Sequence, residues 1–343
     1  MGRPYGRNKT IRRLLSTRRP AVPALRSLVL LSLVLLLAGS VGCTSSTGSA
    51  GNRASSASAA VSTGVASVPG KPATPQPLQG LCFSPFLNSS PADSSSLTPA
   101  TISGLMSKIS PYTYGIRTFS ATGIGQEMPS LARSNNLKIA AGCDLSTDPN
   151  YNEREVQALI ALCRTGQVDL AVVGEEALYS NYTSEAQLIT YIQRVRATGV
   201  PTTTSDTWGE IIGHPGVAAQ CDVILANMFP YWEGQDIRVA IPYLDRCYNK
   251  VRQAYLFRQI MVETGWPTAG ETKGAAVASL ANATSFLSGF TAWAGAHSVK
   301  YYYFEAFDEP WKAAHEGEVG AHWGIWDDSG VMKPGMSAIV GTR

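Results

Sequence analysis

Val168-Asp-Leu-Ala-Val-Val-Gly-Glu-Glu176 is an apolar, β-branched run that ends in two adjacent carboxylates. Its length and its closing glycine read as a buried strand. The acidic pair stands where that strand leaves the core. Seven other runs share this character, at 80–86, 114–119, 137–143, 200–204, 222–227, 259–263 and 299–305. Between them lie segments of 3.6-residue periodicity, clearest at 153–164, 184–198, 238–252 and 275–294. Asn152 and Thr183 are the expected N-caps of the first two. Strict alternation of strand and helix implies a parallel sheet. Eight units in about 250 residues is the dimension of a (β/α)₈ barrel, an α/β TIM barrel. An open doubly wound sheet calls for G-x-G-x-x-G after an early strand, and the chain has none.

The ends of the chain divide differently. Of 343 residues, 44% are hydrophobic and 15% charged, enough for a sizeable core. Residues 1–43 read as an export signal. A basic segment precedes the apolar run at 28–38, which is too short for an ordinary membrane span. Gly39-Ser-Val-Gly-Cys43 then resembles a lipoprotein cleavage box, with Ser40 where leucine is usual. Cys43 is therefore the expected lipidation site, and the chain is expected to be exported and membrane-anchored at a bacterial surface or in the periplasm. Residues 44–77 are rich in Ser, Ala, Thr and Pro and read as a tether. Residues 78–343 form the single-domain barrel, expected to act as a monomer.

Charge and cysteine content narrow the partners. Residues 78–343 carry 18 Lys and Arg against 25 Asp and Glu, so no nucleic-acid partner is expected. Beyond Cys43 there are five cysteines and no C-x-x-C. In an oxidising compartment Cys143/Cys163 and Cys221/Cys247 are candidate disulfides, with Cys82 a buried thiol. The four histidines show no metal-ligand spacing, so neither metal nor cofactor is expected.

A barrel puts its chemistry at the C-terminal ends of its strands. There the sequence places Glu175-Glu176, Asn227 before Tyr231-Trp232, Glu263 before Thr-Gly-Trp266-Pro, and Glu305 before Asp308, Glu309, Trp311 and Lys312. Two carboxylates across a barrel mouth can cleave a glycosidic bond, one as proton donor and one ionised. The aromatics suit the C–H faces of sugar rings. Arg117, ending the second strand, is expected to orient a carboxylate.

These motifs, VGEE, ETGWP, NMFPY and FEAFDEPWK, together with GLCFSP at 80–85 and HWG at 322–324, resemble glycoside hydrolase family 17. That family comprises β-1,3-glucanases and glucan transglycosylases. The resemblance covers the whole body in order. It implies a retaining enzyme with Glu176 as acid/base and Glu263 as nucleophile. It further implies Glu175, Asn227, Tyr231, Trp266, Glu305, Asp308, Trp311 and Lys312 at the sugar site, with β-glucan as partner. One departure stands out: Glu175 occupies a position where the family usually has Asn. An ionised Glu accepts hydrogen bonds but donates none. Hydrolysis and transglycosylation share one covalent intermediate, so motifs do not separate them. A non-catalytic glucan-binding lipoprotein is the reading that Glu175 would motivate.

Overall fold

Eight short parallel strands close on themselves in chain order. They are β1 (Leu81–Cys82), β2 (Gly115–Arg117), β3 (Lys138–Cys143), β4 (Leu170–Glu175), β5 (Thr202–Thr207), β6 (Ile224–Asn227), β7 (Ile260–Thr264) and β8 (Lys300–Tyr303). The computed structural model describes residues 74–343. The leader, Cys43 and most of the stretch 44–77 lie outside the described residues. The circle completes through Leu81 beside Tyr303. Each strand falls within or overlaps a run expected from sequence.

The connecting helices are α1 (Pro99–Ile109), α2 (Met128–Ser134), α3 (Pro149–Arg164), α4 (Glu185–Arg196), α5 (Trp208–Gly213), α6 (Pro215–Ala218), α7 (Ile237–Ala254) and α8 (Leu280–His297). A short α9 (Ala313–Glu316) follows β8. Two caps differ from expectation. α3 begins earlier, with Asp148 accepting from the Asn150 amide at 2.9 Å and Pro149 at its first position. Proline fits there because its missing N–H needs no partner. Asn152 is instead buried and closes a loop, bonding both the amide and the carbonyl of Ser146. In α4 the cap is Ser184 rather than Thr183.

Side chains alternate across each strand, and this sorts the core into two layers. Ala140, Leu170, Val172, Leu225 and Met261 form a small cluster inside the barrel, with Tyr302 against it. The larger cluster lies between barrel and helices. The run Tyr301-Tyr302-Tyr303 shows the alternation directly. Tyr302 belongs to the inner cluster, while the rings of Tyr301 and Tyr303 meet Phe290 of α8 at 4.8 and 6.2 Å. Phe290 also stacks on Phe286 and Trp293.

Among the described residues the cysteines are free thiols, all five of them buried. The expected pairs Cys143/Cys163 and Cys221/Cys247 are therefore not formed. Cys143, Cys163, Cys221 and Cys247 sit in the larger apolar cluster between strands and helices and pack as small hydrophobes. Cys82 is buried and unpaired, as expected.

Phe290 is fully buried at the centre of this aromatic stack. Truncation to alanine is expected to cost about 3–5 kcal/mol, the range for large aromatic deletions. Denaturant unfolding should show a lower midpoint with an unchanged slope.

Candidate active site

The period-2 rule that fills the barrel also fills its mouth. Glu263 follows Met261 on the inward face of β7, and Asn227 follows Leu225 on that of β6. The two are directly opposite in register. Arg117 ends β2 and is buried. Ser205 faces Leu225 in register and donates to Asn227 Oδ1 at 2.7 Å, which fixes the direction of the amide. The lower lumen is apolar and its upper end is ionic.

β4 breaks the alternation. Its register against β5 shifts between Val172 and Glu175. Gly174 lies at φ 82° and Glu176 at φ 47°, left-handed values that are uncommon for a residue with a side chain. In an ordinary strand Glu175 and Glu176 would face opposite ways. Here the bulge turns both toward the mouth. Asn227 Nδ2 donates to Glu175 Oε1 at 2.7 Å and to Glu176 Oε1 at 3.0 Å. The Glu176 amide is held by the Ser205 carbonyl at 2.8 Å.

Arg117 completes the group. Its Nη1 donates to Glu263 Oε2 and its Nη2 to Glu175 Oε2. Glu263, Arg117, Glu175, Asn227 and Glu176 thus form one continuous arch of charge-assisted bonds. Two carboxylates share the guanidinium, and the third, Glu176, lies beside them on the Asn227 amide with a like charge next to it. Burial pushes Glu176 up to about 8; the Glu175 charge adds to this and the Asn227 amide opposes it. Burial also raises Glu263, to about 7, against the pull of Arg117 and the push of Glu175. The guanidinium keeps Glu263 the more acidic of the two. Arg117 itself is driven up by Glu175 and Glu263 despite the cost of burial.

A second ionic cluster stands beyond β8. Lys312 Nζ reaches both oxygens of buried Glu305 at 2.7 Å and Glu309 at 2.5 Å. Glu309, next to Pro310, is fully buried and takes further bonds from Ser84 and from Trp311 Nε1. Burial alone would raise Glu309, but Lys312 outweighs it and leaves the group lowered. Asp308 accepts from Lys333 at 2.7 Å and from the Gly324 amide at 2.8 Å. A Cβ on Gly324 would lie 2.2 Å from the Asp308 nitrogen, so this contact needs glycine.

The aromatics divide. Tyr231, Trp266 and Trp323 are almost fully buried. Trp266 lies against Phe286 and Tyr231 and donates to the Val277 carbonyl at 3.1 Å. Tyr231 donates to the Glu271 carbonyl. Both are walls of the site rather than open platforms. Trp208, Trp232, Trp311, Phe119, Phe229 and Phe304 remain partly exposed.

Several residues at the mouth carry no sequence signal of their own. Asp206, one residue before the end of β5, accepts the Leu178 and Thr207 amides and is pushed by burial to about 7. Glu155, inside α3, binds Ser120, Thr122 and the Ala121 and Asp144 amides. Lys333 is distant in sequence from the Asp308 that it neutralises. Such partners become visible only when the chain is folded.

A family model described as the BtgE/BtgC glycoside hydrolase domain matches residues 80–324, which contain every strand and every acid named above. The chain belongs to this glycoside hydrolase family. Related proteins include a Schizosaccharomyces pombe glucan 1,3-beta-glucosidase, 31% identical over 60% of this chain and 70% of its own. A Saccharomyces cerevisiae protein of the same name is 27% identical over 65% of this chain and 80% of its own. Among solved structures, a Rhizomucor miehei family-17 β-1,3-glucanosyltransferase superposes with a TM-score of 0.69 at 28% identity. That match covers 77% of this chain and 98% of the other. This BtgE/BtgC-type chain is a glycosidase with the family-17 barrel.

A carboxyl group whose folded pKa lies above its unfolded value holds its proton better in the native state. Stability then falls as pH rises from the unfolded value through the folded one. Glu176, raised to about 8, makes such a contribution between roughly pH 4.5 and 8. Glu176→Gln should flatten part of that decline. Melting temperatures at pH 5 and pH 9 should differ less in the variant than in the parent.

Proposed function

We propose that the chain is a retaining enzyme of β-1,3-glucan that uses Glu263 as nucleophile and Glu176 as acid/base. The observation carrying this reading is the arch at the mouth. It gives a buried carboxyl and a half-buried one different surroundings, the first against a guanidinium and the second against an amide and a like charge. An environment that separates two carboxyls in this way assigns an ionised and a protonated partner.

In the first step a Glu263 oxygen bonds to the anomeric carbon while the glycosidic C–O bond breaks. The Glu176 proton passes to the departing oxygen. In the second step Glu176, now a carboxylate, takes a proton from the incoming hydroxyl. That oxygen bonds to the anomeric carbon and the bond to Glu263 breaks. Water as acceptor gives hydrolysis; a sugar hydroxyl gives a longer glucan. The substrate class is supported by the relatives named glucan 1,3-beta-glucosidase. Transfer is supported by likeness to the glucanosyltransferase across nearly all of that protein. Asn227, Glu175 and the half-exposed aromatics would line the sugar site. Glu305, Asp308 and Lys312 are held by their own ion pairs and would set the shape of the β8 loop. Trp311, partly exposed and tied to Glu309, would border the site.

The leader reading supports an exported body anchored through lipid at Cys43, with residues 44–77 as spacer and 78–343 as the catalytic barrel. Mass analysis of the N-terminal fragment from cells would show a diacylglycerol adduct on Cys43. An unmodified Cys43 removes the anchor.

On laminari-oligosaccharides, Glu263→Gln and Glu176→Gln should each lower turnover by orders of magnitude with unchanged melting at pH 5. Retained turnover in either variant would remove that residue from the catalytic pair, and no turnover by the parent would return the chain to a binding role. Products longer than the starting sugar identify transfer.

The pH profile of kcat/KM should be bell-shaped, its alkaline limb set by the coupled acids near pH 8. Glu175→Gln removes a negative neighbour, so Glu176 loses its proton more readily. The alkaline limb should move to lower pH.

A further inference from the structure

The net charge of the body conceals a strong polarity. In a parallel barrel every αβ connection lies at the N-terminal rim, opposite the mouth. The segments running from each helix's last turn to the next strand's first residue carry nine of the body's 18 Lys and Arg. They carry only two of its 25 carboxylates, Asp169 and Asp222. Each of those two is already paired, with Arg133 at 3.0 Å and Arg196 at 2.7 Å. Lys138, Arg164, Arg252 and Lys300 are exposed on this rim with no carboxylate in ion-pair range among the described residues. A cation in a helix's last turn answers the helix dipole. Lys138 and Lys300 open strands, so the dipole does not account for them, whereas Arg258 is half-buried and donates to the Ala218 and Cys221 carbonyls at the end of α6.

The same rim presents the largest exposed apolar side chains of the body. The α7–β7 connection projects Leu256, 62% exposed, and Phe257, fully exposed. Phe257 sits at φ 67°, an outlier for a bulky side chain. Arg252 and Arg258 flank the pair. Apolar tips ringed by cations match the boundary between lipid headgroups and acyl chains.

The segment before β1 also lies here. On its way to β1, Leu78 pairs in parallel with Thr113 of the α1–β2 connection, and its amide donates to the Tyr112 carbonyl at 2.8 Å. The described chain thus runs along the basic rim before it enters β1.

We propose that the N-terminal rim of the barrel docks on an anionic lipid bilayer, with Leu256 and Phe257 entering the interface and the mouth facing away from it. The cations supply attraction to acidic headgroups, and the two apolar tips select a bilayer over a soluble polyanion. This docking stands on the rim itself and holds with or without a lipid on Cys43. It is also independent of the roles given to Glu176 and Glu263.

The test uses the full chain with vesicles of phosphatidylcholine alone or mixed equally with phosphatidylglycerol. The parent and its variants share one leader, so whatever the leader contributes cancels. Binding to the mixed vesicles should exceed binding to phosphatidylcholine by about 10-fold or more and weaken with salt. Lys138→Glu/Arg164→Glu/Lys300→Glu should abolish that preference. Leu256→Ser/Phe257→Ser should weaken binding several-fold and keep its salt dependence. Hydrogen exchange should slow at 252–259 and 133–138 on mixed vesicles and stay unchanged in the mouth loops. Turnover on soluble oligosaccharides should be unaffected in all variants.

Equal affinity for the two vesicles together with unchanged exchange at 252–259 would overturn the proposal. So would inorganic polyphosphate binding as tightly as the mixed vesicles with the serine variant equal to the parent. That result would assign the rim to a soluble polyanion.

Discussion

Arg117 is the group on which the mouth of the barrel depends. It is a buried guanidinium with one nitrogen on Glu263 and another on Glu175. Buried charge is tolerated only when paired, and removing one partner leaves the others exposed to the full cost of desolvation. With Arg117 present, two carboxylates sit within the upper lumen of a closed barrel. Without it, buried Glu263 would lose the charge that opposes its desolvation. The guanidinium therefore sets which acid of the arch remains ionised, and through Glu175 it also influences the proton on Glu176.

Most of the frame was legible in the sequence. Strands with apolar runs ending in an acid or amide announced both the barrel and its working rim. Glu263, Asn227 and Glu175-Glu176 come together there because strand ends in a parallel barrel share one face. Arg117 was also readable, as the one cation closing an early strand. Cap positions were less so, because Asn152 and Asp148 are both good caps and only Pro149 decides between them. The disulfides failed for a related reason: cysteine count and compartment say nothing about which way a thiol faces.

Other features were hidden for physical reasons. The bulge in β4 depends on two left-handed residues, only one of them glycine, so spacing alone makes Glu175 and Glu176 face apart. Asp206, Glu155 and Lys333 act through partners remote in the chain. Tyr231 and Trp266 read as sugar platforms because aromatics serve equally as wall and surface. The charge of the body was counted correctly but its distribution was not, since a sum carries no geometry. A count of −7 is compatible with one basic end and one acidic end, and the fold separates them.

The five thiols have a bearing on how the protein is made. No covalent cross-link within residues 74–343 waits for an oxidant. The barrel can reach its final form under reducing or oxidising conditions alike, on either side of a membrane. Its assembly is uncoupled from the machinery that forms and reshuffles sulfur bridges, and its persistence is indifferent to the redox poise of wherever it works.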